Sequence, residues 1–104
     1  MPVVIVAVLP VKPESADSAR EILTKAVAAV HDEPGCELYA LHETDGKFIF
    51  VEQWADGDAL KAHSSTPTMA AMFSDIGPHL DGAPEIIMAT PVPAGDPAKG
   101  RLVR

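Results

Sequence analysis

The stretch Glu37-Leu38-Tyr39-Ala40-Leu41-His42-Glu43-Thr44-Asp45-Gly46-Lys47-Phe48-Ile49-Phe50-Val51-Glu52-Gln53-Trp54 reads as two strands folded about a tight turn. Asp45-Gly46 at its tip is the preferred centre of a two-residue type I′ hairpin. Such a turn sets Glu43 opposite Phe48, Leu41 opposite Phe50, Tyr39 opposite Glu52 and Glu37 opposite Trp54 on one face. The other face then carries Leu38, Ala40, His42, Ile49, Val51 and Gln53. Both faces hold apolar or aromatic side chains, so both call for cover.

Upstream, Val3 to Leu9 is an unbroken apolar, mostly β-branched run closed by Pro10 and Pro13, the pattern of a central strand buried on both faces. From Ser15 onward, Ala16, Ala19, Ile22, Leu23, Ala26, Val27 and Val30 recur at spacings of three and four, which predicts an amphipathic helix ended by Pro34-Gly35. Ser18 and Glu21 have the spacing of a capping box. Downstream, Asp56 or Asp58 can cap a short helix through Ala59, Leu60 and His63. Thr66-Pro67 then offers an N-cap and an N1 proline for a second segment with Met69, Met72, Phe73, Ile76 and Leu80 on its apolar stripe. Glu85 to Thr90 supplies a last strand, and the prolines at 91, 93 and 97 make the tail an extended arm.

The predicted order is strand, helix, strand, strand, helix, strand. This is the ferredoxin-like βαββαβ arrangement of the α+β class, an antiparallel sheet with its first and third strands in the middle. Residues 1–90 form one domain and residues 91–104 a proline-rich C-terminal arm. Helices cover one face of such a sheet, so a homodimer packed sheet against sheet is expected, with the arm free to cross to the neighbour.

Composition narrows the function classes. A chain of 104 residues, 47% hydrophobic and 22% charged, suits one small globular domain. Fifteen acidic against eight basic residues give a formal charge of −7, and no basic stripe carries interleaved aromatics, which argues against nucleic acid as a partner. No apolar run approaches the ~20 residues that span a bilayer, and the first apolar run lacks the flanks of a signal peptide, so a cytoplasmic protein without membrane contact is expected. The single Cys36 builds no intramolecular disulfide and reads as a small buried residue. His31, Glu33 and Cys36 lack a metal-ligand spacing, and His42 and His79 stand alone, so no metal site is expected.

Four pieces in order, Glu33-Pro34-Gly35-Cys36 with Tyr39, Phe50-Val51-Glu52-Gln53-Trp54, Ala59-Leu60-Lys61-Ala62-His63 and Thr66-Pro67, resemble the antibiotic biosynthesis monooxygenase family, especially its small quinol-monooxygenase-like members. The resemblance covers the chain up to Thr90 and implies a dimeric α+β barrel. It also implies oxidation or oxygenation of a small aromatic phenol or quinol by O2 as co-substrate, with no flavin, metal or haem and with the substrate supplying the electrons. Such chemistry needs an enclosed apolar pocket and a base or hydrogen-bond partner that favours the ionised phenol.

The resemblance places His63 in the catalytic role, with Trp54, Met69, Met72 and Phe73 as substrate-binding walls. His63 falls three and four residues after Leu60 and Ala59, so it shares their inward face, near a helix C-terminus. A core histidine satisfied by a backbone carbonyl or by Glu52 fits the pattern equally well. Large rings on a buried strand face fill volume first, which suits Trp54 and Tyr39 to core or interface positions more than to substrate contact and makes Tyr39 a core aromatic. Glu52, opposite Tyr39, fits a buried acid whose raised pKa serves proton transfer, but a hydrogen bond to Tyr39 explains it with less and is the preferred reading. The Met69, Met72 and Phe73 stripe suits both a helix core and an adaptable pocket wall. A haem-degrading relative in the same superfamily uses a histidine late in the second helical region and an asparagine on the first strand; Phe73 stands near the first position and Val3 to Leu9 holds no asparagine.

Other functions fit the same fold. A small-molecule isomerase or a ligand-binding protein is the main alternative, because one fold hosts many chemistries. Met1-Pro2 before an apolar strand resembles the start of the tautomerase superfamily, whose terminal proline amine acts as base, but the later motif pieces lie outside that pattern.

Overall fold

Val3 to Pro10 forms the strand β1, and its alternation decides which side of the sheet becomes the core. In the computed structural model, which describes residues 1–103, Ile5, Ala7 and Leu9 are buried while Val4, Val6 and Val8 are half-buried. The run is therefore covered on one face by the chain's own helices and is open on the other, short of the two-sided burial expected.

Seven main elements follow in the expected order: β1, then α1 (Ala16–Val30), β2 (Cys36–Thr44), β3 (Lys47–Trp54), α2 (Gly57–Ser64), α3 (Pro67–Ile76) and β4 (Glu85–Ala89). The sheet is antiparallel with strand order β2-β3-β1-β4, so β1 and β3 lie in the middle as a ferredoxin-like α+β fold requires. The helices pack on the face that carries Ile5, Ala7, Leu9, Phe48, Phe50 and Trp54. Burying side chains of this size contributes about 1.5–3 kcal/mol each, which makes this layer the main source of stability.

Local chemistry departs from the sequence reading at several points. Helix α1 begins at Ala16, two residues before Ser18, with Ser15 at the N-cap, so Ser18 and Glu21 form no capping box. The Ser15 side chain caps nothing and lies 2.9 Å from His79 Nδ1. At the hairpin tip only Gly46 has a positive φ, +72°. A type I′ turn needs positive φ at both central residues, whereas a single one at the second is the type II pattern. The register holds for Glu43, Leu41 and Tyr39, but a bulge between Cys36 and Leu38 places Cys36 opposite Trp54 and leaves Glu37 outside the expected pair. β4 stops at Ala89, one residue short of the expected end, and residues 90–103 contain neither helix nor strand. Among the described residues no helix is long and apolar enough to cross a membrane.

Candidate functional site

The turn between α1 and β2 and the short helix α2 meet at the rim of the sheet, and glycine makes that meeting possible. Gly35 has φ +80°, and a Cβ on it would lie 2.5 Å from Ala59 Cβ of α2. Its carbonyl accepts the Ala55 N–H at 2.8 Å, which ties the turn to the end of β3. Asp56 then starts α2, its carboxylate accepting the Ala59 N–H at 2.8 Å. Six residues after the cap residue's first helical neighbour, His63 points inward and is 5% exposed.

Three contacts fix the His63 ring and a fourth holds its backbone. Its Nδ1 is 2.8 Å from Glu33 Oε1. Its ring lies 4.4 Å from that of Trp54 at an interplanar angle of 32°, and 5.5 Å from that of Tyr39 at 64°. Its carbonyl accepts from Thr66 Oγ1 at 3.0 Å, and the same hydroxyl accepts the Met69 N–H that opens α3. The carboxylate partner is thus Glu33; the Glu52 contact considered from sequence is not made.

Glu52 is held elsewhere. Its Oε1 accepts the Trp54 indole N–H at 2.9 Å, and no hydrogen bond joins it to Tyr39 among the described residues. Burial pushes the Glu52 carboxyl above the usual carboxylate range, against a smaller downward pull from the Trp54 hydrogen bond and from His63. Burial likewise pushes the Tyr39 phenol upward, reinforced by Glu52 and Glu33, and raises the Cys36 thiol. A carboxyl kept neutral donates a hydrogen bond, and a phenol kept neutral does the same.

Tyr39, Glu52 and His63 face one cavity of about 240 Å³ between the sheet and the last two helices. Ile5, Ala7 and Leu9 with Phe50 form its apolar floor, while Tyr39, Glu52 and His63 supply the polar points. Met69 and Met72, both buried, close the roof. Phe73 is 47% exposed and stands at the mouth with Ile86 and Met88 of the edge strand, so it belongs to the opening of the cavity more than to a helix core. Trp54 does not line the cavity. It is fully buried one layer behind, where its ring backs His63 and its N–H orients Glu52. An apolar cavity of about 150 Å³ holds a benzene ring, so this one has room for a small aromatic molecule.

The sequence reading assigned no role to Glu33 and set Glu52 aside as a structural partner. The signal for both lay in the four motif pieces, since each contributes a residue against His63: Glu33, Trp54 and Thr66 from three of them, with Tyr39 beside the first. Among the described residues, no three of His, Cys, Asp or Glu come close enough to hold a metal ion.

The family model for antibiotic biosynthesis monooxygenases matches residues 2–74. The chain belongs to that family. A Caulobacter crescentus protein named as a candidate antibiotic biosynthesis monooxygenase is 33% identical, with 85% of this chain and 87% of that one covered and a TM-score of 0.81. A Pseudomonas aeruginosa protein is 26% identical over 85% of this chain and 91% of its own, with a TM-score of 0.78. A Mycobacterium tuberculosis structure at 21% identity shares the fold, with a TM-score of 0.84 over 92% of this chain and 100% of that one. No curated protein matches the chain. In antibiotic biosynthesis monooxygenase terms the motif pieces quoted from the sequence are the shell around one histidine.

Proposed function

We propose that this antibiotic biosynthesis monooxygenase family member oxidises a small aromatic phenol or quinol with O2, using no organic cofactor or metal. The observation that carries the reading is the apolar cavity onto which His63, Glu52 and Tyr39 open, with Ser64 as its other polar residue. His63 takes the proton of the substrate hydroxyl, and the electron-rich anion that results is the species able to give electrons to O2. The apolar floor and roof exclude water from that anion. For a phenol with an unsubstituted para carbon, one oxygen atom enters the ring as a quinone carbonyl. The other leaves as water with the two hydrogens lost, so the substrate supplies all four electrons. Tyr39, a buried phenol, offers a hydrogen bond to the oxygen atoms that gain negative charge, and Glu52 does so in its protonated form, which its burial favours.

A second reading rests on Glu52 and His63 facing one cavity, a carboxyl whose burial favours its protonated form beside an imidazole, which also suits an isomerase that moves a proton between two carbons. Labelling separates these. With ¹⁸O2 and a para-unsubstituted naphthol, the oxygenase reading expects one ¹⁸O in the product by mass spectrometry. Oxidation without label marks a simple oxidase, and an unchanged or isomerised substrate that still quenches Trp54 fluorescence overturns the oxygenase reading.

The protein is further proposed to work as a cytoplasmic homodimer joined through the open sheet face. Val4, Val6, Val8, Ile49 and Val51 are only half-buried there and Ile87 is exposed. On the same face Gln53 Oε1 is buried with no hydrogen-bond partner, a group that a facing donor would satisfy. Sedimentation equilibrium tests it: a dimer mass is expected, and a monomer at micromolar concentration contradicts it.

A further inference from the structure

His63 is a wall residue between two hollows. On one side lies the apolar cavity; on the other lies an open depression bordered by Glu33, Pro34, Asp56 and Asp58. Glu33 belongs to the outer side, its side chain 14% exposed, and its Oε1 sits 2.8 Å from His63 Nδ1. A carboxylate only accepts, so Nδ1 carries the shared hydrogen and Nε2 keeps its lone pair. Nε2 has no partner among the described residues, yet the one fully buried polar side-chain atom without a partner is Gln53 Oε1, so Nε2 meets open space.

We propose that Glu33 is the positioning residue for His63 and the outlet for its proton, so that the pair forms a conduit through the wall from the cavity to solvent. The inference rests on the proton-accepting role given to His63 above. The transfer balances in two moves: substrate O–H gives its proton to Nε2 as the Nδ1 hydrogen passes to Glu33 Oε1, and Glu33 then releases a proton to water in the outer depression. When Nε2 later gives its proton to the reduced oxygen in the cavity, Glu33 takes a proton back from water and returns it to Nδ1, so ring and carboxylate end as they began. Glu52, engaged by the Trp54 N–H, and Tyr39 are buried and border only the inner cavity, so neither opens a path to solvent. The other charged groups facing the pair are Asp56 and Asp58 at the outer rim, with the Cys36 thiol close enough to feel Glu33, Glu52 and Glu37.

The test begins on the ligand-free protein. Imidazole ¹⁵N NMR is expected to find His63 with its hydrogen on Nδ1 and Nε2 bare; the Nε2–H tautomer overturns the proposal. This step needs neither a variant nor turnover, so it stands even if the oxygenase reading fails. Where a quinol is turned over, Glu33→Gln keeps an acceptor for Nδ1–H but cannot take the proton. It is expected to lower kcat on the order of 10-fold or more, with KM little changed, and to regain rate as small buffer bases such as imidazole are added. A Glu33→Gln enzyme with parental kcat, or one slowed without any response to buffer base, overturns the outlet role.

Discussion

Replacing Gly35 by alanine puts the closest contact in the site wall under direct test. Two costs add. An L-residue at φ +80° costs roughly 1–2 kcal/mol relative to glycine. The new methyl, 2.5 Å from Ala59 Cβ, forces α2 to shift at a cost of about 1–3 kcal/mol. Against these, the unfolded chain loses freedom, which offsets about 0.4–1 kcal/mol. The net loss centres near about 3 kcal/mol, or roughly 10–20 °C in melting temperature for a domain of this size at fixed protein concentration. Urea unfolding of Gly35→Ala, Ala59→Gly and the double variant separates the two costs. The methyl clash disappears in the double variant, so the cycle is expected to show a coupling on the order of 1–3 kcal/mol, while the φ cost persists. A Gly35→Ala protein as stable as the parent, or a cycle that is simply additive, refutes the close approach of the turn to α2.

Glu52→Gln changes the pH dependence of stability. The folded protein holds the Glu52 proton to higher pH than the unfolded chain does, so Glu52 weakens stability as pH rises from the ordinary carboxylate range through its raised value. Glutamine keeps an acceptor for Trp54 and never ionises. The variant's stability relative to the parent is therefore expected to increase across that window and then level off; a pH-independent difference contradicts the raised value. Asp56→Ala removes the cap of α2 and is expected to cost ~1 kcal/mol, with faster amide exchange at Ala59. Unchanged exchange there means that the cap is not what starts the helix. Phe73→Ala, at the mouth, is expected to weaken binding of a naphthol in a Trp54 fluorescence titration while leaving the melting temperature within about 2 °C, since the ring is 47% exposed and fills little core. A large loss of stability contradicts its place at the opening.

The sheet was legible because its signals are local. Alternation in Lys47–Trp54, Asp-Gly at the tip and the unbroken run of β1 each specify an element without reference to distant residues. The failures came where two distant elements compete for one group. Ser18 has capping-box spacing, but the single 3-10 turn at Pro13–Ser15 carries the chain into the helix earlier. Glu37 has the right parity to face Trp54, but the chain leaving Gly35 reaches β3 with one residue too many and bulges. Within the site, the inward direction of His63 followed from its spacing to Ala59 and Leu60. Its partner Glu33 did not, because the two are 30 residues apart and meet only when the turn after α1 packs on α2. Trp54 is legible as a buried ring on its strand face, but whether it borders the cavity is not, because the depth of the cavity depends on His63 lying over it.

The account turns on His63 as the base in an oxygen-consuming site. The most direct measurement is dissolved-oxygen uptake by the purified protein, freed of metal and flavin, with a panel of reduced naphthoquinones and polyphenols. His63→Ala and protein-free solutions serve as the references. Uptake above autoxidation that vanishes in His63→Ala, with the variant still folded and of parental mass in solution, is the expected result. Uptake that survives loss of His63, or none above autoxidation across the panel, contradicts the account.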